Sequence, residues 1–196
     1  MTSPMPDLLE HVISPYDLEL DGTKVQWWRD RVEAWDRGEK IAPVTMDVAW
    51  TRQCNAACVF CYATLQANET EKIQKHHAFQ FLEDAAEIGV KGVSLISDGE
   101  STVVPWYEES IEHAAKCGLK VGIGTNGVRL KRKVLERILP HVSYLRFNFS
   151  GGTMDRYKEI MGLKERDWHQ VIQNVKDAMD IKRRDGLSVT VNLQMV

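Results

Sequence analysis

The chain contains no apolar run near the length of a membrane span, so no apolar transmembrane helix is read from it. It also lacks a basic excess. Lysine and arginine number 25 against 28 aspartates and glutamates, for a net charge of −3, which argues against a nucleic-acid surface. The short basic run Lys131-Arg132-Lys133 reads as the solvated first turn of a helix. Met-Thr-Ser-Pro-Met-Pro-Asp at the start has no basic stretch leading into an apolar core, so no secretion signal and a cytoplasmic location are expected. No internal repeat and no low-complexity segment is present. Cysteine is scarce, four in 196 residues, and three of the four crowd together at positions 54, 58 and 61. That distribution suits no disulfide framework. Cys117, alone on a helical segment, reads as a buried structural thiol.

What is present describes a globular domain, with 43% apolar and 27% charged residues. Residues 1–42 form an N-terminal extension in which Val25, Trp28, Val32 and Trp35 fall at helical spacing. They mark one amphipathic helix ending near Gly38, read as packed against the main domain. Over 43–196 the pattern alternates. Strands are expected at Val44–Trp50, Gly92–Ser97, Leu119–Thr125, Val142–Ser150 and Leu187–Met195. Between them lie helices carrying Ala78, Leu82, Ala85 and Ala86, then Ile111, Ala114 and Ala115, then Lys131–Leu139. The last carries Val171, Val175, Ala178 and Met179, with Asp167 as N-cap. Such βα units imply an α/β fold with a parallel sheet.

The strands are not continuous apolar runs, as strands buried on both faces usually are. Tyr144, Arg146, Asn148 and Ser150 oppose Leu145, Phe147 and Phe149. Thr190, Asn192 and Gln194 oppose Val189, Val191 and Leu193, and Gly122, Gly124 and Asn126 oppose Val121, Ile123 and Thr125. Thr45 and Asp47 oppose Met46 and Val48. One face is for helices. The other is polar or glycine-lined, as the interior of a curved, ligand-filled sheet would be, where Asp47 and Arg146 either pair with each other or each take a local hydrogen-bonding partner.

The cysteines read Cys54-Asn-Ala-Ala-Cys58-Val-Phe-Cys61, a C-x3-C-x2-C spacing. Three thiolates on so short a loop can hold three corners of a cubic iron–sulfur cluster and leave the fourth iron open to a small molecule. The rival is a non-catalytic zinc-binding fragment in which His76 or His77 completes the set, although zinc sites usually pair their ligands. A third reading keeps the cluster in an electron-transfer subunit.

Further motifs stand at the ends of later strands: Ser97-Asp98-Gly99-Glu100, Gly124-Thr125-Asn126-Gly127, Asn148 with Ser150, and then Asp155-Arg156-Tyr157-Lys158. With the cysteine loop, over roughly residues 44–196, they resemble the radical S-adenosylmethionine (radical SAM) enzymes of the CxxxCxxC type. The resemblance implies a partial (β/α)6 TIM-like barrel, here cut off after the fifth strand. It implies a [4Fe-4S] cluster on Cys54, Cys58 and Cys61, with S-adenosylmethionine on the fourth iron. One electron splits the sulfonium, and the 5′-deoxyadenosyl radical so formed takes hydrogen from a substrate. By the same resemblance Gly99 and Glu100 bind the methionine amine. Asp98 departs from the family's glycine and either shapes the turn or faces the substrate. Thr125 and Asn126 approach the cofactor, and Asn148 and Ser150 contact the ribose and carboxylate. Lys158, with Arg156 second, supplies a cation to that carboxylate, Phe60 and Tyr62 pack on the adenine, and Gln194 bonds near the adenosyl group. No catalytic residue beyond the cofactor ligands is assigned. The expected partners are a small metabolite, or alternatively a ribosomal peptide, and a reductant such as flavodoxin or ferredoxin; no nucleic acid and no membrane.

Overall fold

A computed structural model describes residues 27–65, 72–96 and 98–195. The chain divides into two compact units, Met1–Ile41 and Ala42–Val196. In the first, α1 (Arg29–Asp36) buries no residue and Trp35 is exposed. Val25, the first member of the predicted stripe, lies outside the described residues.

The second unit runs β1 (Thr45–Asp47), α2 (Lys75–Glu87), β2 (Gly92–Leu95), α3 (Tyr107–Lys116), β3 (Lys120–Thr125), α4 (Arg132–Ile138), β4 (Tyr144–Asn148), α5 (Met154–Met161), α6 (Glu165–Arg184) and β5 (Thr190–Gln194). All five strands are parallel and lie in the order β1-β2-β3-β4-β5. An order without reversal is that of a barrel wall and differs from the doubly wound sheet, where direction changes at a switch point. Crossovers of one hand then place every helix on the same face.

The burial pattern agrees. Val93, Leu95, Val121, Ile123, Leu145 and Phe147 are all buried against the helices. Their neighbours Ser94, Gly122, Gly124, Tyr144, Arg146 and Asn148 are half-exposed on the other face. Each fully buried Val, Ile, Leu or Phe of this layer contributes about 1.5–3 kcal/mol. The expected helix residues Ala78, Leu82, Ala85, Ile111, Ala114, Val171 and Ala178 are also buried.

Several expectations are corrected. The strands are shorter than the apolar runs suggested, although ladder bonds reach past them, as from Val48 N–H to Ser94 C=O at 2.8 Å. Asp167 is not the N-cap of the last helix. Lys164 is, and the Asp167 carboxylate turns back to accept the Lys164 N–H at 3.0 Å. Among the described residues no Asp47–Arg146 ion pair forms; Arg146 Nε is buried without a partner, and the Arg146 guanidinium lies across the side-chain-free Gly124. Cys117 is half-buried rather than buried. Leu193, on the helix-facing side of β5, is 51% exposed; among the described residues β5 pairs with β4 alone. Helix α5 was not expected as an element. No described helix is long and apolar enough to cross a membrane.

Candidate cofactor site

The site is assembled from loops at the C-terminal ends of the strands. After β1 the chain enters the cysteine loop, and the turn after β2 is pressed against its entrance. Gly99 sits there at φ +69°, and a Cβ on it would stand 2.2 Å from the Thr51 carbonyl oxygen and 2.8 Å from that of Gln53. Only glycine allows both the left-handed backbone and this approach. Next to it the Glu100 N–H donates to Gln53 C=O at 2.8 Å. Asp98, open in the sequence to a substrate-facing role, lies 3.7 Å from the Arg52 guanidinium and tethers the same two segments.

The Glu100 carboxylate is almost completely buried. Its Oε1 accepts from Thr102 Oγ1 at 2.8 Å, Thr125 Oγ1 at 2.7 Å and the Thr102 N–H at 3.3 Å, and its Oε2 accepts the Asn126 N–H at 2.8 Å. It therefore knots the end of β2 to the end of β3. A carboxylate offers about four lone-pair positions. Oε1 is filled and Oε2 retains one. Burial pushes the carboxyl above the usual range, against the opposing effect of the bonds from Asn126, Thr125 and Thr102.

Asn126 extends this knot to the cysteines. Its Nδ2 donates to Asn55 Oδ1 at 2.8 Å and lies 3.9 Å from Cys54 Sγ, while its Oδ1 accepts the Val128 N–H at 3.1 Å. The turn is held from behind by α6: the buried Asn174 donates from Nδ2 to Gly127 C=O at 2.7 Å.

The other side of the cysteine loop rests on the end of α5. Ala57 and Val59 donate their N–H groups to Met161 and Ile160 carbonyls at 3.0 and 2.9 Å. Gly162 closes the helix at φ +61°, where a Cβ would come within 2.7 Å of Ala57 O. Cys58 Sγ lies 3.8 Å from Met161 Sδ. Burial, with Cys54 and Cys61 close by, pushes the Cys58 thiol up to about 11, and Glu100 adds a smaller push. A bound cation would reverse that shift, since a metal takes the thiolate. Tyr157, one turn before Met161, is fully buried beside Phe149 and Trp168, with ring centroids 4.9 and 5.2 Å away. Among the described residues its hydroxyl has no partner, a deficit of about 1–3 kcal/mol.

The remaining expected residues divide. Thr125, Asn126 and Ser150 are buried at the strand ends. Asn148 and Gln194 are half-buried partners across β4 and β5. Phe60 and Tyr62 flank Cys61 with exposed rings, 41% and 57%. Lys158 and Arg156 lie on the exposed side of α5 and pair within it, with Asp155 at 3.4 Å and Glu159 at 2.5 Å. The histidines of the zinc reading, His76 and His77, are exposed at the start of α2, their ring centroids 4.0 Å apart and their planes tilted by 48°. A cavity of about 620 Å³ beside Thr102 and Tyr107 touches none of the cysteines.

Sequence reasoning missed Tyr157, Met161, Gly162 and Asn174 as parts of the site. The first three had a readable signal: Thr153 before a short helical stretch and Gly162 after it are helix-ending residues. Asn174 had none, since its partner is a carbonyl 47 residues away.

Among the described residues no three His, Cys, Asp or Glu side chains are grouped to hold one metal ion. A cubic cluster needs no such grouping, because each thiolate takes a different iron. Soft thiol donors, a loop pinned on both sides and an orphaned buried hydroxyl beside it fit such a group.

Fold and loop define an α/β chain of the partial-barrel class with its cysteines at the C-terminal edge of the sheet. The family model described as the radical SAM superfamily matches residues 48–195, and the chain belongs to that superfamily. Its relatives include the Fe-coproporphyrin III synthase of Methanosarcina barkeri (strain Fusaro / DSM 804), 27% identical over 155 residues, which are 76% of this chain and 38% of that protein. The S-adenosylmethionine-dependent nucleotide dehydratase of Flammeovirga pacifica is 31% identical over 103 residues, 50% of this chain and 35% of that protein. The chain thus spans well under half the length of these curated relatives. Among solved structures, Streptococcus suis SuiB bound to S-adenosylmethionine superposes with a TM-score of 0.64 at 18% identity, over 86% of this chain and 38% of that one. SuiB bound to its precursor peptide SuiA superposes equally well, over 90% of this chain.

Proposed function

We propose that Cys54, Cys58 and Cys61 hold a [4Fe-4S] cluster whose fourth iron is left to S-adenosylmethionine, and that the chain carries the cofactor-binding core of a hydrogen-abstracting enzyme. The observation that carries this reading is the three-thiol loop clamped between the Gly99–Glu100 turn and the end of α5, in a chain of this superfamily. When bound, the two cofactors supply one-electron cleavage of a C–S bond and a carbon radical that removes hydrogen from substrate.

The chain's own groups bind and orient. Glu100 has one unfilled acceptor position on Oε2, suited to the methionine ammonium, and Thr125 and Asn126 hold that carboxylate in place. Asn148, Ser150 and Gln194, on adjacent strand ends, are suited to the ribose and carboxylate hydrogen bonds. The exposed rings of Phe60 and Tyr62 are suited to cover the adenine. Lys158 serves the carboxylate by leaving Asp155, a weak exposed pair. The electron comes from a reductant of the flavodoxin or ferredoxin kind, and a reducing compartment such as the cytoplasm suits open thiols. The relatives' names cover a coproporphyrin product, a nucleotide and, for SuiB, a peptide. The substrate class is therefore an organic molecule, a small metabolite or a peptide, that fits the half-exposed polar sheet face.

Anaerobic reconstitution with iron, sulfide and dithionite tests the proposal. Wild type takes up about four irons and four sulfides per chain and converts S-adenosylmethionine to 5′-deoxyadenosine; Cys58→Ala does neither. Turnover by the variant at the wild-type rate, or uptake of about one zinc and no iron by the wild type, would overturn it.

A further inference from the structure

The Tyr157 hydroxyl is the observation the cofactor roles above leave unexplained. The residue is 0% exposed, and its oxygen is buried without a hydrogen-bond partner among the described residues. It belongs to one apolar cluster with Met161 and Leu163, against which Ala56, Cys58, Phe149 and Trp168 pack. Met161, the next residue on its helix face, touches Cys58 through sulfur at 3.8 Å. The backbone donors around it are already used: Ala57 and Val59 bond to the end of α5, and the Cys61 N–H to Cys58 C=O at 3.0 Å. The nearby carboxylate, Asp167, is committed as well, to the Lys164 N–H at 3.0 Å and to Arg166 at 3.5 Å. Among the described residues no acceptor, Cys58 Sγ included, lies within hydrogen-bond reach of the hydroxyl, and a neutral thiol is a weak acceptor. A thiolate or sulfide is a strong one.

We infer that Tyr157 is a positioning residue that donates its O–H to the Cys58 sulfur, or to an adjoining sulfide, once the cluster is in place. This rests on the cysteine assignment proposed above. Hydrogen bonds to cluster sulfurs favour the reduced, more negative state and so raise the reduction potential. The residue tunes how readily the electron is accepted, and touches neither S-adenosylmethionine nor substrate.

The test is Tyr157→Phe, which removes one oxygen and keeps the ring. After reconstitution of both proteins, iron and sulfide content should be equal. A spectroscopic redox titration should show the variant's reduction roughly tenfold less favourable, about 59 mV more negative for a one-electron couple. In the metal-free proteins, thermal unfolding should show the variant as stable as wild type or more so, because the hydroxyl has nothing to lose. An equal potential with an intact cluster overturns the inference. So does a less stable metal-free variant, since the hydroxyl would then have a partner within the fold. A wild type that assembles no cluster fails at the first measurement, which sinks the cysteine assignment and this inference with it.

Discussion

Gly99→Ala would test how closely the turn after β2 is pressed on the cysteine loop, with Gly118→Ala as its control. Both glycines are left-handed, at φ +69° and +79°, so an alanine at either costs about 1–2 kcal/mol in backbone conformation. At Gly118 nothing lies within 4 Å of the new Cβ, and the cost ends there. At Gly99 the methyl would meet Thr51 O at 2.2 Å, the Arg52 carbonyl carbon at 2.8 Å and Gln53 O at 2.8 Å, all of them backbone. No rotamer relieves that. The turn must lift, and the Glu100 N–H bond to Gln53 C=O goes with it, for about 1 kcal/mol more. The total is about 2–3 kcal/mol, within the range of single substitutions that introduce strain. For a chain of this size each kcal/mol lowers Tm by about 2–4 °C. Gly118→Ala should therefore melt about 2–8 °C low, and Gly99→Ala should melt lower still and take up iron poorly. Melting within about 2 °C of the control, with full iron uptake, would refute the close approach and the clamp argued from it.

Two further outcomes are expected. The Glu100 carboxyl is raised above the ordinary carboxylate range by burial, so the folded state holds its proton to higher pH than the unfolded chain does. The stability this group contributes is present below the ordinary value and lost as pH rises through the folded one; urea melts should show wild type losing ground to Glu100→Gln as pH rises from acid toward neutral. A difference that grows in favour of wild type over that range would mean the four donors outweigh burial. Asn174→Ala should cost about 0.5–1.5 kcal/mol by removing the shorter of two hydrogen bonds to the buried Gly127 carbonyl, which keeps the Leu130 N–H at 3.3 Å, read as a fall in the denaturation midpoint at constant slope; an unmoved midpoint would show that the Asn174 bond adds nothing to the fold.

Much of the fold was legible because burial writes itself into a strand with period two. In β4 the alternation of Leu145 and Phe147 with Tyr144, Arg146 and Asn148 appears as alternating burial, and β3 repeats it with glycines on the open side. Asp167 was misplaced as an N-cap because an acidic residue at N-cap and one at the third helical position serve the same unpaired N–H groups; only the backbone angles separate them. Helix α5 was overlooked because it is eight residues long, with just two buried positions, Tyr157 and Met161. The Asp47–Arg146 pairing rested on shared face alone. The two residues belong to β1 and β4, which the observed strand order separates by two strands.

The order of residues along the chain was enough to establish the donor set, three thiols in eight residues, and the alternation of strand and helix, because both are local. It could not say that the Glu100 carboxylate is tied up by Thr102, Thr125 and Asn126, that Asp98 pairs with Arg52, or that the end of α5 props the cysteine loop. Most of those contacts join segments far apart in sequence, and no local pattern encodes them. They exist because a parallel sheet brings the C-terminal ends of consecutive strands to one edge, where backbone groups that no strand can satisfy must find partners in each other's loops.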